Sequence, residues 1–565
     1  MSKILFAPFL ALLLAAFATA PLRADSMAGN AKAPDSKGDS KPAEPEKKEP
    51  KMEEDPPLSV TAHTVTVDGK VLSYHATAGY IILKEEEGKP MVKNAEGPPP
   101  AAGEEKAGAD KPRDGLKPKA KVFFVAYTLD DVLDPAKRPV TYCFNGGPGS
   151  ASIWLHMGAV SPRRALLTDE GEAPPPPFQL VDNESTWLDR TDLVFIDPVS
   201  TGYSRPMPKE SAQQFHGLKE DIASVGDFIR LYTSRNTRWL SPKFLLGESY
   251  GTTRAAGLSD YLQSRYGLYL NGIILVSSAL NFQSIAFSPE NATPYIGFLP
   301  SYATSAWYHK KLSPEMQAKS VAEVAQEARA FAGGEYTLAL LRGDGVSEQD
   351  RNHAAAELSR LTGMPAGEFL LLRLRMPDSV FFKRLLFAEG RYLGRYDARF
   401  SGVSYTPGDA QADDDYDPSF EAAGPPFIAA FNDYVRRELK YESDIPYESL
   451  TDVQPWNFGD AGNGFPNTSE DLRKAMTRNP YLKVWVTCSY FDLATPFFAA
   501  ESTVASMNLD PAIRSNLRFT YYESGHMLYV HTPSRKKFKA DFVSFLADAT
   551  AQPVVHSAAR GDTAR

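Results

Sequence analysis

Apolar positions in the middle of the chain form short continuous runs that are separated by polar and turn-forming residues. Runs rich in β-branched residues lie near Val140, Leu193, Phe244 and Ile273, and they are typical of strands buried on both faces of a parallel sheet. Apolar residues over 222–229 recur instead at helical spacing. The pattern predicts an α/β fold with a mostly parallel central sheet flanked by helices.

The segments on either side of this sheet have different patterns. Residues 60–67 alternate between apolar and polar positions and are followed by the turn pair Asp68-Gly69, which predicts antiparallel strands over 58–127 with a hairpin at this turn. A polar, proline-rich stretch over about 85–119 is expected to loop out of these strands. Over 291–450 the spacing is helical and rich in Ala, Leu and Arg, which indicates a helical lid inserted into the core.

The remaining boundaries follow from composition. The core is expected to occupy residues 58–290 and to resume over 451–550. Residues 1–24 combine a charged start, an apolar stretch and a small-residue end, the pattern of a cleaved signal peptide. An uncleaved membrane anchor is the alternative, although the apolar run is short for a membrane span. Residues 25–57 and 551–565 are expected to be a flexible linker and a flexible tail.

These features predict an exported protein, secreted or periplasmic, with no stable membrane insertion. The chain has 565 residues, of which 43% are hydrophobic, and a formal net charge of -9. It can therefore bury a large core, and its charge argues against nucleic acid as a partner. Cys143 and Cys488 are predicted to be two buried thiols, because the strands that carry them are not expected to be neighbours.

The strongest chemical motif is Gly247-Glu248-Ser249-Tyr250-Gly251, which directly follows an apolar run. A serine between two glycines at a strand-to-helix turn is the layout of a nucleophile elbow, whose strained backbone exposes the hydroxyl. The glycines are needed because side chains at those positions would clash. The pattern alone is common, so the assignment of Ser249 depends on partners later in the chain.

Two such partners occur in the expected order. Asp492 follows the predicted strand 481–487, and His526 follows the predicted strand 517–522. A serine hydroxyl becomes an effective nucleophile when an imidazole takes its proton and a carboxylate orients that imidazole. Ser249, Asp492 and His526 are therefore predicted to form a catalytic triad.

Each partner has an alternative interpretation. Asp492 is also placed to cap the helix that begins near Thr495, where an acidic residue is common. His531 is the nearest competing histidine, but a solvated position at the start of the next helix is expected for it. The strand and the glycine before His526 favour His526 as the base.

The reaction also needs donors for an oxyanion, and the segment Asn145-Gly146-Gly147-Pro148-Gly149-Ser150 provides a candidate. It follows a predicted strand, and its glycines allow a backbone N–H to approach a substrate oxygen. A plain Gly-Pro-Gly turn is the alternative. The backbone N–H groups of Gly147 and Tyr250 are the predicted oxyanion hole.

Together these motifs resemble the serine carboxypeptidases. The resemblance is carried by four segments in order, Asn145-Gly146-Gly147-Pro148-Gly149, Trp187–Ser204, Gly247-Glu248-Ser249-Tyr250-Gly251 and Gly525-His526-Met527. It implies an α/β-hydrolase fold with a helical lid, the triad Ser249, Asp492 and His526, and release of single residues from peptides with a free C-terminus. It also implies greatest activity at acidic pH.

The same resemblance assigns two substrate-binding residues. It implies that Asn145 and Glu248 hydrogen-bond the C-terminal carboxylate of the peptide, which requires that one of the two carboxyl groups be protonated. The chain departs from the family in two places. Ser150 stands where the family has a cysteine, and residues 158–162 lack a second glutamate of the carboxylate site. These departures leave the triad intact but bear on exopeptidase specificity.

No metal or cofactor is predicted. Several aspartates fall within the lid, but their spacing lacks the glycine and closing glutamate of a calcium loop, so a solvated acidic loop is expected; they are Asp409, Asp413, Asp414, Asp415 and Asp417. Nucleotide-binding patterns are also absent from the sequence. The hypothesis is thus a serine carboxypeptidase. The alternatives are a serine esterase or acyltransferase on the same scaffold, and an exported binding protein without turnover.

Overall fold

The computed structural model describes residues 55–86, 116–406, 416–459, 461 and 464–551. The predicted signal peptide, nearly all of the predicted linker and tail, and the aspartates between 409 and 415 lie outside these residues. Asp417 lies inside them and caps a helix, because its side chain accepts hydrogen bonds from the backbone N–H groups of Ser419 and Phe420.

The described residues form fourteen strands. They are β1 (Ser59–Val67), β2 (Lys70–Glu86), β3 (Leu116–Leu129), β4 (Val140–Phe144), β5 (Arg163–Ala165), β6 (Leu180–Asp182), β7 (Asp192–Ile196), β8 (Arg205–Pro206), β9 (Lys243–Glu248), β10 (Gly272–Val276), β11 (Arg391–Leu393), β12 (Ser401–Val403), β13 (Lys483–Ser489) and β14 (Leu517–Tyr522). Ten of these strands form one central sheet in the order β1-β2-β3-β7-β4-β9-β10-β13-β14, with β8 paired beside β3.

The sheet is parallel from β7 to β14 and antiparallel from β1 to β7. Strands β4, β7, β9 and β10 are the four predicted from the apolar runs, and every residue in them is buried. This burial explains their continuous rather than alternating apolar pattern. The predicted α/β-hydrolase fold, with a mostly parallel sheet flanked by helices, is therefore confirmed.

The predicted hairpin joins β1 to β2, and Asp68 and Gly69 both have positive φ, at 49° and 75°, as a tight hairpin turn requires. The predicted loop over 85–119 is wrong at both ends. Lys84–Glu86 pair with Leu116–Pro118, so the β2–β3 ladder continues into the charged sequence. The backbone bonds of a ladder need no apolar side chain, and Lys119 and Glu85 form an ion pair of 3.1 Å.

The described helices lie on both faces of the sheet. They are α1 (Leu218–Arg235), α2 (Tyr250–Tyr266), α3 (Thr293–Tyr308), α4 (Pro314–Gln317), α5 (Val321–Phe331), α6 (Thr337–Arg342), α7 (Glu348–Thr362), α8 (Ala366–Leu371), α9 (Asp378–Arg384), α10 (Pro418–Arg437), α11 (Ser469–Arg478), α12 (Phe497–Ala505), α13 (Pro511–Arg514) and α14 (Thr532–Thr550).

The strands of the sheet contribute side chains to two separate apolar cores. In β10, Ile273 and Leu275 belong to the core that includes α1 and α2, whereas Ile274 and Val276 belong to the core that includes α10 and α14. Alternate side chains of a strand point to opposite faces, so the two cores lie on opposite sides of the sheet. The sheet is thereby packed on both faces beneath the loops that leave its carboxyl ends.

Helices α3 to α11 lie between β10 and β13 in the sequence, together with the small β11–β12 hairpin. Local signals explain where individual helices begin. Ser320 accepts a hydrogen bond from the backbone N–H of Glu323, whose side chain accepts one from the backbone N–H of Ser320. This reciprocal cap satisfies amides that the first helical turn of α5 leaves without partners.

Candidate active site

Ser249 lies at the junction between β9 and α2. Its backbone has φ 59° and ψ -129°, a combination that costs free energy for a residue with a Cβ and persists where the surroundings enforce it. The backbone N–H of Ser249 donates to Val276 O across 3.0 Å, at the end of the neighbouring strand. Ser249 is half-buried rather than enclosed, as a nucleophile elbow requires.

The glycine-rich loop after β4 lies directly on this turn. A Cβ on Gly251 would come within 2.7 Å of Phe144 O, and a Cβ on Gly146 would come within 2.8 Å of Glu248 O. Both distances are too short for carbon and backbone oxygen. The glycines of the two motifs therefore allow the two loops to touch, which brings the predicted oxyanion donors next to Ser249.

The backbone amides of the predicted oxyanion donors, Gly147 and Tyr250, lie in the two loops that meet at Ser249. Tyr250 is the first residue of α2, so its N–H has no acceptor within the helix. Gly147 has φ +102°, a backbone conformation that glycine adopts without strain. Within the described residues, neither amide donates to a backbone carbonyl in a loop or turn.

His526 and Asp492 are brought together by adjacent strands. Asp492 follows β13, His526 follows β14, and His526 Nδ1 lies 2.9 Å from Asp492 Oδ2. A carboxylate accepts hydrogen bonds only, so the pairing places the imidazole proton on Nδ1 and leaves Nε2 to accept a proton. Burial lowers the pKa of His526, but the charge and hydrogen bond of Asp492, together with the charge of Glu248, raise the pKa overall.

Both interpretations of Asp492 describe part of its geometry. Its Oδ1 accepts from the backbone N–H groups of Ala494 and Thr495 at 2.8 and 2.9 Å, which caps the turn before α12. Its Oδ2 faces His526 and also accepts from the Thr495 hydroxyl at 2.8 Å. The competing His531 instead bonds the Ser534 hydroxyl at 2.8 Å, at the start of α14.

Ser249 and His526 are held by neighbouring residues at the end of β10, since Ser249 N donates to Val276 O and the Ser277 hydroxyl donates to His526 O, but no hydrogen bond joins their side chains. Among the hydrogen bonds of the described residues, none within 3.5 Å joins Ser249 Oγ to the imidazole, whose Nδ1 faces Asp492 and Thr495. Catalytic hydrogen bonds are often long in proteins without substrate and tighten on binding. The structure thus shows the predicted pairing of His526 with Asp492, without a hydrogen bond from either residue to Ser249 Oγ.

Asn145 and Glu248 form a buried polar pair next to Ser249. Asn145 Oδ1 accepts from Leu155 N at 3.0 Å, while Asn145 Nδ2 and Glu248 Oε2 are buried without hydrogen-bond partners. Burial raises the pKa of Glu248 to about 7, and the positive charge that His526 can carry works in the opposite direction. Buried polar atoms are costly without partners, so the pair is suited to an additional polar ligand.

The sequence did not reveal the residues that hold the histidine loop. The backbone N–H of His526 donates to Tyr396 O at 2.6 Å, and that of Leu493 donates to Arg395 O at 3.1 Å. Both acceptors lie in the segment 394–400, which we call the strap and which belongs to the helical insertion. On the opposite side, the Ser277 hydroxyl donates to His526 O at 2.7 Å. These contacts join residues that are far apart in the sequence, so no local sequence pattern indicates them.

Other predictions for the described residues concern cysteine, metal and membrane. Cys143 and Cys488 are free and buried, as predicted, on strands separated by two others in the sheet. Within the described ranges, no cluster of three or more acidic, histidine or cysteine side chains is arranged for a metal ion. No helix over those ranges combines the length and the apolar character of a membrane span.

Comparisons with known proteins agree with the motifs. Residues 115–364 match the family model described as serine carboxypeptidase. Serine carboxypeptidase-like 51 of Arabidopsis thaliana is 31% identical over 186 residues, which are 31% of this chain and 37% of the plant protein. Pheromone-processing carboxypeptidase KEX1 of Saccharomyces cerevisiae is 31% identical over 135 residues, which are 23% of this chain and 17% of the yeast protein. The matches thus span well under two thirds of these relatives.

Among solved structures, the S. cerevisiae prohormone-processing carboxypeptidase Kex1(delta)p aligns with a TM-score of 0.47 at 14% identity, over 84% of this chain and 91% of that chain. The sequence match includes Asn145, Gly147, Glu248, Ser249 and Tyr250 and ends before the acid and the histidine. Over residues 115–364 the chain matches the serine carboxypeptidase family, and the resemblance that the motifs indicated is confirmed.

Proposed function

We propose that the protein is an exported serine carboxypeptidase that removes C-terminal residues from peptides. One observation carries the proposal. Three features lie close together, because Glu248 precedes Ser249 directly and has His526 and Asn145 as neighbours: the strained Ser249 turn, the His526–Asp492 hydrogen bond of 2.9 Å and the unpartnered polar atoms of Asn145 and Glu248. The first two features suit acyl transfer through a serine, and the third suits recognition of a free carboxylate.

In the proposed acylation step, Ser249 Oγ attacks the carbonyl carbon of the last peptide bond and His526 Nε2 takes the hydroxyl proton. The developing oxyanion accepts hydrogen bonds from the N–H groups of Gly147 and Tyr250. The C–N bond then breaks, and the imidazolium gives its proton to the departing amine. The products are a free amino acid and an ester between the shortened peptide and Ser249.

Deacylation repeats the sequence with water. A water molecule gives a proton to His526 Nε2 as its oxygen attacks the ester carbonyl, and the same two amides hold the second oxyanion. Collapse breaks the bond to Ser249 Oγ, which recovers its proton from the imidazolium. Throughout, Asp492 stabilises the imidazolium and holds its Nδ1 proton in place.

Specificity for the peptide end is proposed to come from Asn145 and Glu248. The Asn145 Nδ2 group donates to the substrate carboxylate, and Glu248 donates to it when protonated. The buried setting of Glu248 favours this neutral form, because its pKa is raised to about 7. Two facing carboxylates would repel each other, so peptide binding is expected to be strongest at acidic pH.

We further propose that residues 291–450 act as a lid that shapes the substrate pocket, above core segments 58–290 and 451–550. A small cavity beside the catalytic histidine supports this role, since it is lined by residues of the insertion and of the histidine loop, namely Tyr396, Asp397, Phe400, Ser419, Ala423, Met527 and Val530. Side chains from the insertion would thus contact the peptide and select its residues.

Export is the last part of the proposal. The amino-terminal sequence 1–24 supports cleavage of a signal peptide after Ala24 and release to the periplasm or the medium. Amino-terminal sequencing of the mature protein tests this directly. A mature chain that begins at Asp25 in a soluble extracellular fraction agrees with it, whereas a membrane-bound chain that retains Met1 contradicts it.

Hydrolysis of a blocked dipeptide with a free C-terminus, compared with its C-amidated form from about pH 4 to 8, tests the activity. Preference for the free acid, strongest at low pH and lost in Ser249→Ala, is the expected result. A serine esterase or acyltransferase is the second candidate, because the triad and the oxyanion donors do not require Glu248. Ester hydrolysis without any preference for the free acid would favour that candidate, and peptide binding unaltered in Ser249→Ala without turnover in the wild type would favour a binding protein.

A further inference from the structure

Tyr529 lies in a buried turn directly after the catalytic histidine. It occupies the short 3-10 helix Leu528–Val530, three residues beyond His526, and its side chain is fully buried. Its hydroxyl has no hydrogen-bond partner within the part of the chain that is described. Buried tyrosine hydroxyls normally have a partner, so this one is expected to receive a ligand or to serve a neighbouring group.

The ring of Tyr529 fills a space that glycine leaves open. Gly158 lies in a π-helical turn over Leu155–Val160, and a Cβ on Gly158 would be 2.7 and 2.8 Å from two carbon atoms of the Tyr529 ring. The ring is therefore seated against the backbone of residue 158 and has little freedom to move. This is the segment, 158–162, that lacks the second glutamate of the carboxylate site.

The seating of the ring directs its hydroxyl to the Asn145–Glu248 pair. Glu248 and Asn145 are the side chains that adjoin the Tyr529 hydroxyl, although no two of the three groups meet hydrogen-bond geometry. Each of them therefore has one buried atom without a partner, namely Tyr529 Oη, Glu248 Oε2 and Asn145 Nδ2. Three such atoms around one point form a site that a small polar group would complete.

The chemistry of the three groups identifies the ligand class. Asn145 Nδ2 and Tyr529 Oη are hydrogen-bond donors, and a protonated Glu248 is a third. Burial raises the pKa of Tyr529 well above its ordinary value, and the neighbouring Glu248 carboxyl raises it further, so the phenol keeps its proton. Three donors without a fixed positive charge suit one carboxylate, which has lone pairs on two oxygens.

We propose that Tyr529 is the third polar member of the site for the substrate's C-terminal carboxylate, where its hydroxyl donates a hydrogen bond in place of the missing acidic residue. The inference rests on the proposed function and extends it. A phenol supplies a hydrogen bond without a second negative charge, so the loss of the glutamate over 158–162 leaves the site complete. Tyr529 is thus a specificity-determining residue that the family motifs do not contain.

The test removes only the hydroxyl. Tyr529→Phe keeps the ring against Gly158, and steady-state kinetics are measured on the free-acid dipeptide, on its amide and on p-nitrophenyl acetate, which has no carboxylate to bind. We expect the KM for the free acid to rise about 10-fold or more, as for loss of a hydrogen bond to a charged group. The kcat for that peptide and the hydrolysis of the acetate ester are expected to change less than about 2-fold. Equal losses on all three substrates, or an unchanged KM for the free acid, overturn the inference.

Tyr302→Phe is the matched control. Tyr302 is also a buried tyrosine with an unpartnered hydroxyl, but it lies in α3, where its ring stacks on Phe381. It should leave the KM of every substrate unchanged. Ester hydrolysis reports whether each variant is folded, because it needs the intact triad but no carboxylate site.

Binding to Ser249→Ala separates this inference from the proposed function. Calorimetry compares the free-acid dipeptide and its amide on Ser249→Ala and on the double variant with Tyr529→Phe. Tighter binding of the free acid that the second substitution weakens supports the role of Tyr529, even if the wild type hydrolyses only esters. A wild type that cleaves the free acid selectively, with binding unaffected by Tyr529→Phe, retains the proposed function and overturns the role of Tyr529.

Discussion

His526 Nδ1 lies 2.9 Å from Asp492 Oδ2, while Asp492 Oδ1 accepts two backbone N–H groups of the following turn. The carboxylate that orients the imidazole is therefore itself fixed by the chain immediately after it. In the proposed mechanism, Asp492 thus serves catalysis through one oxygen and local structure through the other. This division makes it possible to alter the charge facing His526 while the cap retains an acceptor.

Asp492→Asn tests the orienting role. An amide group facing His526 favours the wrong imidazole tautomer, so kcat on a good ester or peptide substrate is expected to fall about 1,000- to 10,000-fold with little change in KM. Stopped-time assays at neutral pH measure both constants. A loss of kcat smaller than about 10-fold would show that another group orients the histidine. Thermal unfolding should change little, since an acceptor for Ala494 and Thr495 remains.

Glu248 is expected to control the pH dependence of substrate recognition. It is mostly protonated below about 7, where its pKa lies because of burial, so it donates to the peptide carboxylate there and repels it at higher pH. The ratio of kcat/KM for the free acid to that for an ester should therefore fall as pH rises through 7. Using the ratio cancels the titration of His526, which both substrates need. Glu248→Gln should flatten the ratio, and a ratio that still falls through 7 in this variant contradicts the assignment.

The same carboxyl should influence stability with a defined sign. Its pKa is raised from 4.5 to about 7 in the folded chain, so between these values the folded state holds a proton that the unfolded state has lost. Stability contributed by the neutral carboxyl is full below 4.5 and declines as pH rises through 7. Relative to wild type, Glu248→Gln should gain roughly 3 kcal/mol in unfolding free energy near pH 8.5 compared with pH 4. Urea unfolding at both pH values measures the difference, and an equal effect at the two would refute it.

Asp397 links the strap to the histidine loop. It accepts from Gly525 N at 3.0 Å and pairs with the buried Arg399 at 2.7 Å. Asp397→Ala leaves the buried guanidinium with only the largely exposed Glu170 carboxylate, 3.5 Å away, which should cost about 3 kcal/mol of unfolding free energy. It should also lower kcat more than it raises KM, because the loop before His526 loses its anchor. Denaturant unfolding and steady-state kinetics measure the two effects.

Asp350→Ala is the matched control for that experiment. Asp350 also belongs to the helical insertion and pairs with an arginine, Arg342, but both side chains are more than half exposed. Exposed pairs contribute little to stability. The control should therefore change the unfolding free energy by less than about 0.5 kcal/mol. A comparable loss in both variants would mean that the burial of the Asp397 pair has no special effect.

The sequence predicted the elements that have a local pattern. Continuous apolar runs identified β4, β7, β9 and β10 because both faces of these strands are buried. Glycines marked the turns where backbones touch. The ends of the predicted 85–119 loop were wrong because Lys119 and Glu85 pair across a ladder, and charge along one segment does not reveal a partner on another.

The sequence also predicted that Asp492 and His526 act together. Each follows a strand, and these two strands are adjacent in the sheet. It could not reveal Tyr396, Asp397 or Tyr529 as neighbours of the site. Asp397 meets Gly525 across 128 positions of sequence, and Tyr529 faces Glu248 from another loop. Such contacts depend on how the insertion is seated on the sheet, which no short motif records.

For the proposed reaction, the strap limits how a peptide can reach Ser249. Its backbone carbonyls accept hydrogen bonds from Leu493 in the acid loop and from His526 in the histidine loop. Movement of the whole insertion as one rigid body would therefore break the hydrogen bond that holds the backbone of His526. If the insertion is the proposed lid, the movement that admits a peptide is expected to be confined to parts of it away from 394–400. The strap would thus hold His526 in position while other parts of the proposed lid move.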